Sequence, residues 1–125
     1  MNRILRELCE ASLVIDDHDH LLTSKDLSRM TEISRKEVLK ELKTLKSEGM
    51  VGYVRTVLQT WDGPAFNQGW SITRNAITTP EFDAALDKET AWCLHFLYEE
   101  TEGDPWNHSN RFMSMRSVLD WRKKK

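Results

Sequence analysis

The chain has 125 residues, 39% hydrophobic and 30% charged, with a formal net charge of -2. That length suits one domain with a single core, and the composition suits a soluble globular protein rich in helix. The near-balanced charge excludes a protein that coats nucleic acid indiscriminately. Cys9 and Cys93 stand far apart in no motif, which excludes a disulfide framework or zinc knuckle and points to buried thiols in a reducing compartment. No apolar run approaches membrane-spanning length, and Arg3, Arg6, Glu7 and Glu10 interrupt any signal-peptide core. The expected location is therefore the cytoplasm, with no membrane partner.

The first predicted element is a helix over residues 2–15, with Ile4, Leu5, Leu8, Ala11 and Ser12 on one face and Cys9 and Leu13 extending it. Asp16, Asp17, His18, Asp19 and His20 follow as a polar linker. Its imidazoles and carboxylates are metal-ligand types, but no second cluster completes a shell, so it is read as a solvated loop with no metal.

Residues 21–51 read as two short helices joined by a tight turn. Thr23 or Ser24 caps the first, whose inward residues are Leu27 and Met30, and Thr31-Glu32-Ile33 makes the turn. Ser34 with Glu37 three residues later is a capping-box signature. Val38, Leu42 and Leu45 then recur at helical spacing with Leu39 widening the stripe, and Gly49 suits a left-handed C-terminal residue. Residues 51–60 are rich in β-branched and aromatic residues and predict a strand. Residues 61–68 carry the turn, and residues 69–73 (Gly-Trp-Ser-Ile-Thr) form the returning strand, with Trp70 and Ile72 on one face.

This order of elements, and the ISRKEVLKELKTLKSEGMVGY segment above all, resembles the winged helix-turn-helix superfamily, as in MarR-, ArsR- and PadR-type bacterial regulators. The resemblance covers about residues 5–73. It implies a winged domain over 1–75 with a small β-hairpin wing; with the helical extension that the residues predict over 76–125, the expected fold is mainly α with a wing and extra C-terminal helices. It also implies duplex-DNA binding by a bacterial or phage transcriptional regulator.

The extension resembles nothing identifiable. Thr79 before Pro80 suits a helix start, and Glu81 and Asp83 favour its first turn. Phe82, Ala85, Leu86, Cys93, Phe96 and Leu97 form one apolar stripe, while Ala91, Trp92, Leu94 and Tyr98 spread around the other side. This predicts one helix over 80–102, ended by Gly103-Asp104-Pro105. A last helix over 109–122 follows, with Phe112, Met115, Val118 and Leu119 inward, then a basic tail over 122–125 that is either a solvated end or an extra phosphate contact.

No P-loop, GxGxxG, GxSxG or HExxH motif is present, and His95 and His108 join no constellation, so neither an enzyme nor a cofactor is expected. Charge is segregated along the chain. Lys25, Arg29, Arg35, Lys36, Lys40, Lys43, Lys46 and Arg55 outweigh the acids between residues 21 and 60, whereas Lys88 alone opposes a run of acids between 80 and 105. If Val38, Leu42 and Leu45 face inward, Ser34, Arg35, Lys36 and Lys40 face outward. Arg35 would then pair with a guanine, and Lys36, Lys40 and Lys43 would reach phosphates. Arg55 and the expected wing tip, Asn67 and Gln68, would touch the neighbouring backbone. The competing expectation is that alternating Lys and Glu merely solvate a helix, with Glu37 and Glu41 weakening the positive field. A second function class is a protein-binding adaptor with Trp61, Phe66 and Trp70 as anchors. The surface left by Trp92, Leu94 and Tyr98 would serve a homodimer, or would be covered within one chain by the segment from Phe112 to Leu119.

Overall fold

Capping chemistry sets where each helix begins. The computed structural model describes residues 1–14, 21–88, 91–97 and 110–124. Helix α1 (Arg3–Ser12) starts where the Asn2 side chain accepts from Leu5 N at 3.0 Å. It stops short of residue 15, because Leu13 leaves helical geometry and strand β1 (Leu13–Val14) begins. Helix α2 (Ser24–Thr31) is capped by Thr23, with a complete box: Thr23 Oγ1 accepts from Asp26 N, and Asp26 Oδ2 accepts from Thr23 N, both at 3.1 Å. Leu27 is buried, but Met30, expected to point inward, is exposed. Glu32 takes a left-handed conformation (φ 59°) and turns the chain. Helix α3 (Arg35–Ser47) begins at Ser34, whose side chain accepts from Glu37 N.

Val38, Leu42 and Leu45 are buried as expected, whereas Leu39 is exposed. Each of the three buried side chains contributes about 1.5–3 kcal/mol by leaving water. Gly49 (φ 78°) ends the helix: Met50 N donates to Leu45 O and Gly49 N to Lys46 O, both at 3.0 Å. This double bond set satisfies two terminal carbonyls. The Gly49 carbonyl in turn accepts from Thr73 Oγ1 and from Asn75 Nδ2, and Thr73 N donates to Met50 O at 2.9 Å. Three bonds thus fasten the end of α3 to the chain leaving the hairpin.

That hairpin is longer than expected. Strands β2 (Val51–Thr60) and β3 (Gly63–Ile72) pair antiparallel from Val51↔Ile72 to Thr60↔Gly63. The turn is only Trp61-Asp62, not residues 61–68, and the positive φ falls on Gly63 (109°). Asn67 and Gln68 therefore lie opposite Thr56 and Arg55 within the ladder rather than at a tip. The hairpin root is held by Val51, Val54 and Ile72, all buried. Its edge is extended by the segment before α2: Leu22 N donates to Trp70 O at 3.2 Å, and Trp70 N to Leu22 O at 2.7 Å. Gly69 permits this approach, since a Cβ there would stand 2.9 Å from both Leu22 N and Leu22 O.

A 3₁₀ turn (Arg74–Thr78) leads to α4 (Pro80–Lys88), where Thr79 Oγ1 accepts from Phe82 N. The helix expected over 80–102 ends at Lys88. Strand β4 (Cys93–Leu97) follows, flanked by β1 and by β5 (Asn110–Ser114) in an antiparallel three-stranded sheet of order β1-β4-β5. The last helix, α5 (Met115–Lys123), is accordingly shorter than expected at its start. Val118 is buried, but Phe112 and Leu119, expected inward, are exposed. One core joins α1, α2, α3, β3, α4, β4 and α5, so residues on both sides of position 75 share it. The chain is thus helix-rich with a small two-stranded hairpin, plus a second sheet that helical periodicity concealed. No helix among the described residues is long and apolar enough to cross a membrane. The linker with His18 and His20, Tyr98, and Gly103-Asp104-Pro105 lie outside the described residues.

Two stability tests follow from this geometry. Gly69→Ala should destabilise the fold by about 1–3 kcal/mol in urea denaturation, because backbone rather than a flexible side chain occupies the space. The Thr23 hydrogen bonds hold the Asp26 carboxyl below its ordinary value. Its contribution is therefore full above that ordinary value and disappears as pH falls through the folded-state value. Asp26→Asn should flatten this acid limb, and Thr23→Ala should remove about 0.5–2 kcal/mol near neutral pH.

Candidate nucleic-acid interface

Outside its buried Val38–Leu42–Leu45 stripe, helix α3 presents two basic sides and one acidic side, each fixed by its spacing from that stripe. Lys36, Lys40 and Lys43 lie opposite that stripe and are exposed. With Leu39 and Glu37 they line a shallow outward hollow. Glu37, Glu41 and Glu48 occupy one flank. Arg35 and Lys46 occupy the other.

The i,i+4 neighbours on this helix are like with like: Lys36 with Lys40, and Glu37 with Glu41. Each such pair costs about 0.2–0.5 kcal/mol, where opposite charges would contribute as much. Among the described residues no ion pair engages a charged side chain of α3; the ion pairs are Arg6–Glu10, Lys88–Glu10, Arg29–Asp26 and Arg122–Asp83. The lysines and glutamates of α3 thus stand in separate stripes, without i,i+4 bridges between them.

Arg35 is only partly available. Its Nε donates to Ser24 Oγ at 3.1 Å, tying the first residue of α3 to the first residue of α2. A side-on fork through Nε is thereby used up, leaving an end-on approach through the two terminal nitrogens. The Ser34 oxygen accepts within the cap, which uses one of its two lone pairs and leaves its hydroxyl proton free to donate outward.

The hairpin residues separate into two faces. Arg55 and Gln68 stand opposite each other, and Tyr53 and Trp70 form the next pair on the same face, in an edge contact with centroids 5.4 Å apart. Phe66 shares that face, with the Arg55 guanidinium 4.5 Å from its ring centre. Asn67 belongs to the opposite face by strand alternation, so it does not join Arg55 and Gln68. At the tip, Trp61 is 104% exposed.

Comparison with known protein families, characterised proteins and solved structures found no match. The candidate surface is therefore defined by its own geometry. Its parts are the outer side of α3 with Lys36, Lys40 and Lys43, the helix start with Ser34 and Arg35, and, separately, the hairpin face with Arg55 and Gln68.

The other expected sites fare differently. Leu94 is fully buried in the core and Trp92 is exposed just before β4, so these two do not share the helical face expected of a dimer surface. Arg122 of the basic tail is engaged with Asp83 on α4 and lies 5.8 Å from the Phe82 ring centre. Among the expected protein anchors, Trp61 and Phe66 are exposed, but Trp70 packs against the core. Burial, reinforced by the Glu81 and Glu10 carboxylates, pushes the Cys9 thiol far up, which leaves it inert as a nucleophile. No group of three or more His, Cys, Asp or Glu side chains suited to a metal occurs among the described residues.

In the sequence, Glu37 and Glu41 read only as weakening the positive field. Their like-charge spacing is the signal that α3 carries separate stripes. Arg35→Ala should lower stability by about 0.5–1.5 kcal/mol by removing the Ser24 bond. Lys40→Ala should change it by no more than about 0.5 kcal/mol, since the Lys40 side chain makes no ion pair among the described residues. Parallel urea titrations of the two variants make the comparison.

Proposed function

We propose that the protein binds duplex DNA as a winged helix-turn-helix, with α3 in the major groove and the hairpin as its wing. The observation that carries this reading is the exposed row of Lys36, Lys40 and Lys43, which no carboxylate bridge neutralises among the described residues. Such a row gains most from a polyanion, whose condensed counterions are released on contact. Lys36, Lys40 and Lys43 meet phosphates. Arg35 meets a base edge end-on, giving sequence preference, and Arg55 with Gln68 follows the backbone beside the groove. A regulator of transcription in a bacterium or phage is the role that this mode of binding fits. The acidic flank of α3 and the carboxylates of α4 orient the molecule by repelling the same polyanion from the wrong sides.

The fully exposed Trp61 favours a second reading, in which the hairpin tip anchors a protein partner. Fluorescence anisotropy on a mixed-sequence duplex, repeated across salt concentrations, separates the two. The Lys36→Ala/Lys40→Ala/Lys43→Ala variant should bind more weakly to all sequences, with the salt slope reduced by about 1 for each phosphate left without its lysine. Arg35→Ala should relax preference at one base pair, at about 1–3 kcal/mol. A folded triple-lysine variant that binds as tightly as the parent overturns the assignment of α3.

A further inference from the structure

The acidic flank of α3 borders a crevice that the lysine face does not use. It has a volume of about 340 Å³ and opens where the start of α1 meets the first half of α3. Asn2, Arg3 and Ile4 line it from α1, Ile33 from the turn, and Glu37 and Glu41 from α3. The half-buried Ile33 supplies the apolar floor, backed from the core by Ile4. The volume falls within the range of small-molecule sites.

The rim is unbalanced in charge. Glu37 and Glu41 are one helical turn apart, so their carboxylates stand on the same side. Asn2 Nδ2 donates to Glu41 Oε2 at 3.3 Å, which holds that carboxylate at the mouth. Neither glutamate takes part in an ion pair among the described residues, and Arg3 brings one cation against two carboxylates. The sequence places the like-charge repulsion of Glu37 and Glu41 where an apolar hollow lies beside them.

We propose that this crevice binds a small organic cation with an apolar body. An amidinium or guanidinium head sits at Glu37 and Glu41, and the apolar part lies over Ile33. A planar head of this kind donates two parallel N–H bonds to a carboxylate, which an alcohol or a carboxylate ligand does not offer. The crevice shares Glu37 with the hollow on the lysine side, and none of Lys36, Lys40 and Lys43 lines it.

The test is an NMR titration of the isotopically labelled 125-residue chain with benzamidinium chloride at constant ionic strength, without DNA. The expected result is saturable shifts confined to the backbone amides of Asn2, Arg3, Ile4, Ile33, Glu37 and Glu41 and their neighbours. The affinity should fall about tenfold in Glu37→Gln/Glu41→Gln, which lacks the charge-assisted bonds. Glutamine keeps the side-chain size and the acceptor for Asn2, and Glu37→Gln alone, at an exposed position, gives the same readout should the double variant fail to fold. Benzoate should produce no shifts. The proposal is overturned if shifts are absent or map elsewhere, if the folded glutamine variants bind equally well, or if benzoate binds as benzamidinium does.

Discussion

The placement of α3 beside the hairpin depends on one carbonyl oxygen, that of Gly49. Helix ends leave carbonyls without partners, and most are satisfied by water or by the last turn itself. Here the carbonyl just past the helix accepts from Thr73 and Asn75, at the far end of the hairpin. The helix terminus and the hairpin root thereby share a single junction. Gly49 suits it for two reasons. Its φ of 78° disfavours any side chain, and a Cβ there would already touch Asn75 Nδ2 at 3.4 Å. The turn that ends the helix leads straight into β2, so the end of α3 and the root of the hairpin are fastened at one place.

Charge on α3 is distributed as stripes, which makes the helix weaker in isolation than a sequence of the same composition with opposite charges four apart. The difference is a few tenths of a kcal/mol per pair, small beside the burial of Val38, Leu42 and Leu45. The packed stripe thus decides whether the helix exists, and the outer residues are left to other physical demands. The lysine side and the glutamate side present separate surfaces, suited to ligands of opposite charge.

Legibility of the fold in the sequence follows the kind of contact involved. Helix α3 and the start of α4 are legible because caps and 3.6-residue periodicity are local signals: Ser34, Gly49 and Thr79 all act within a few residues of themselves. Strand β4 is not. Trp92 to Leu97 is apolar on nearly every side, and such a run fits a buried helix or a buried strand equally by periodicity. What makes it a strand is pairing with Leu13 and Val14 on one edge and with β5 on the other, and a two-residue strand is too short to show any period. The hairpin is legible as a hairpin, but Gly63 and Pro64 read as the middle of a long turn when they begin the return strand. The lysines of the candidate surface are legible once the inward phase is known. The Arg35–Ser24 bond is not, because it depends on how two helices meet.

The middle strand of the three-stranded sheet has one neighbour from near the start of the chain and another from near its end. The Asn2–Glu81 bond likewise joins residues 79 positions apart. Contacts of such separation form only after the intervening chain has been restricted, so loop-closure entropy sets their rate. The hairpin and the α2–α3 pair need no such wait. Helix α1 packs most on α4, nearly eighty residues along the chain, and also on β3, α2 and α3, so the hairpin and the α2–α3 pair cover only part of its apolar face and α4 must arrive to complete it.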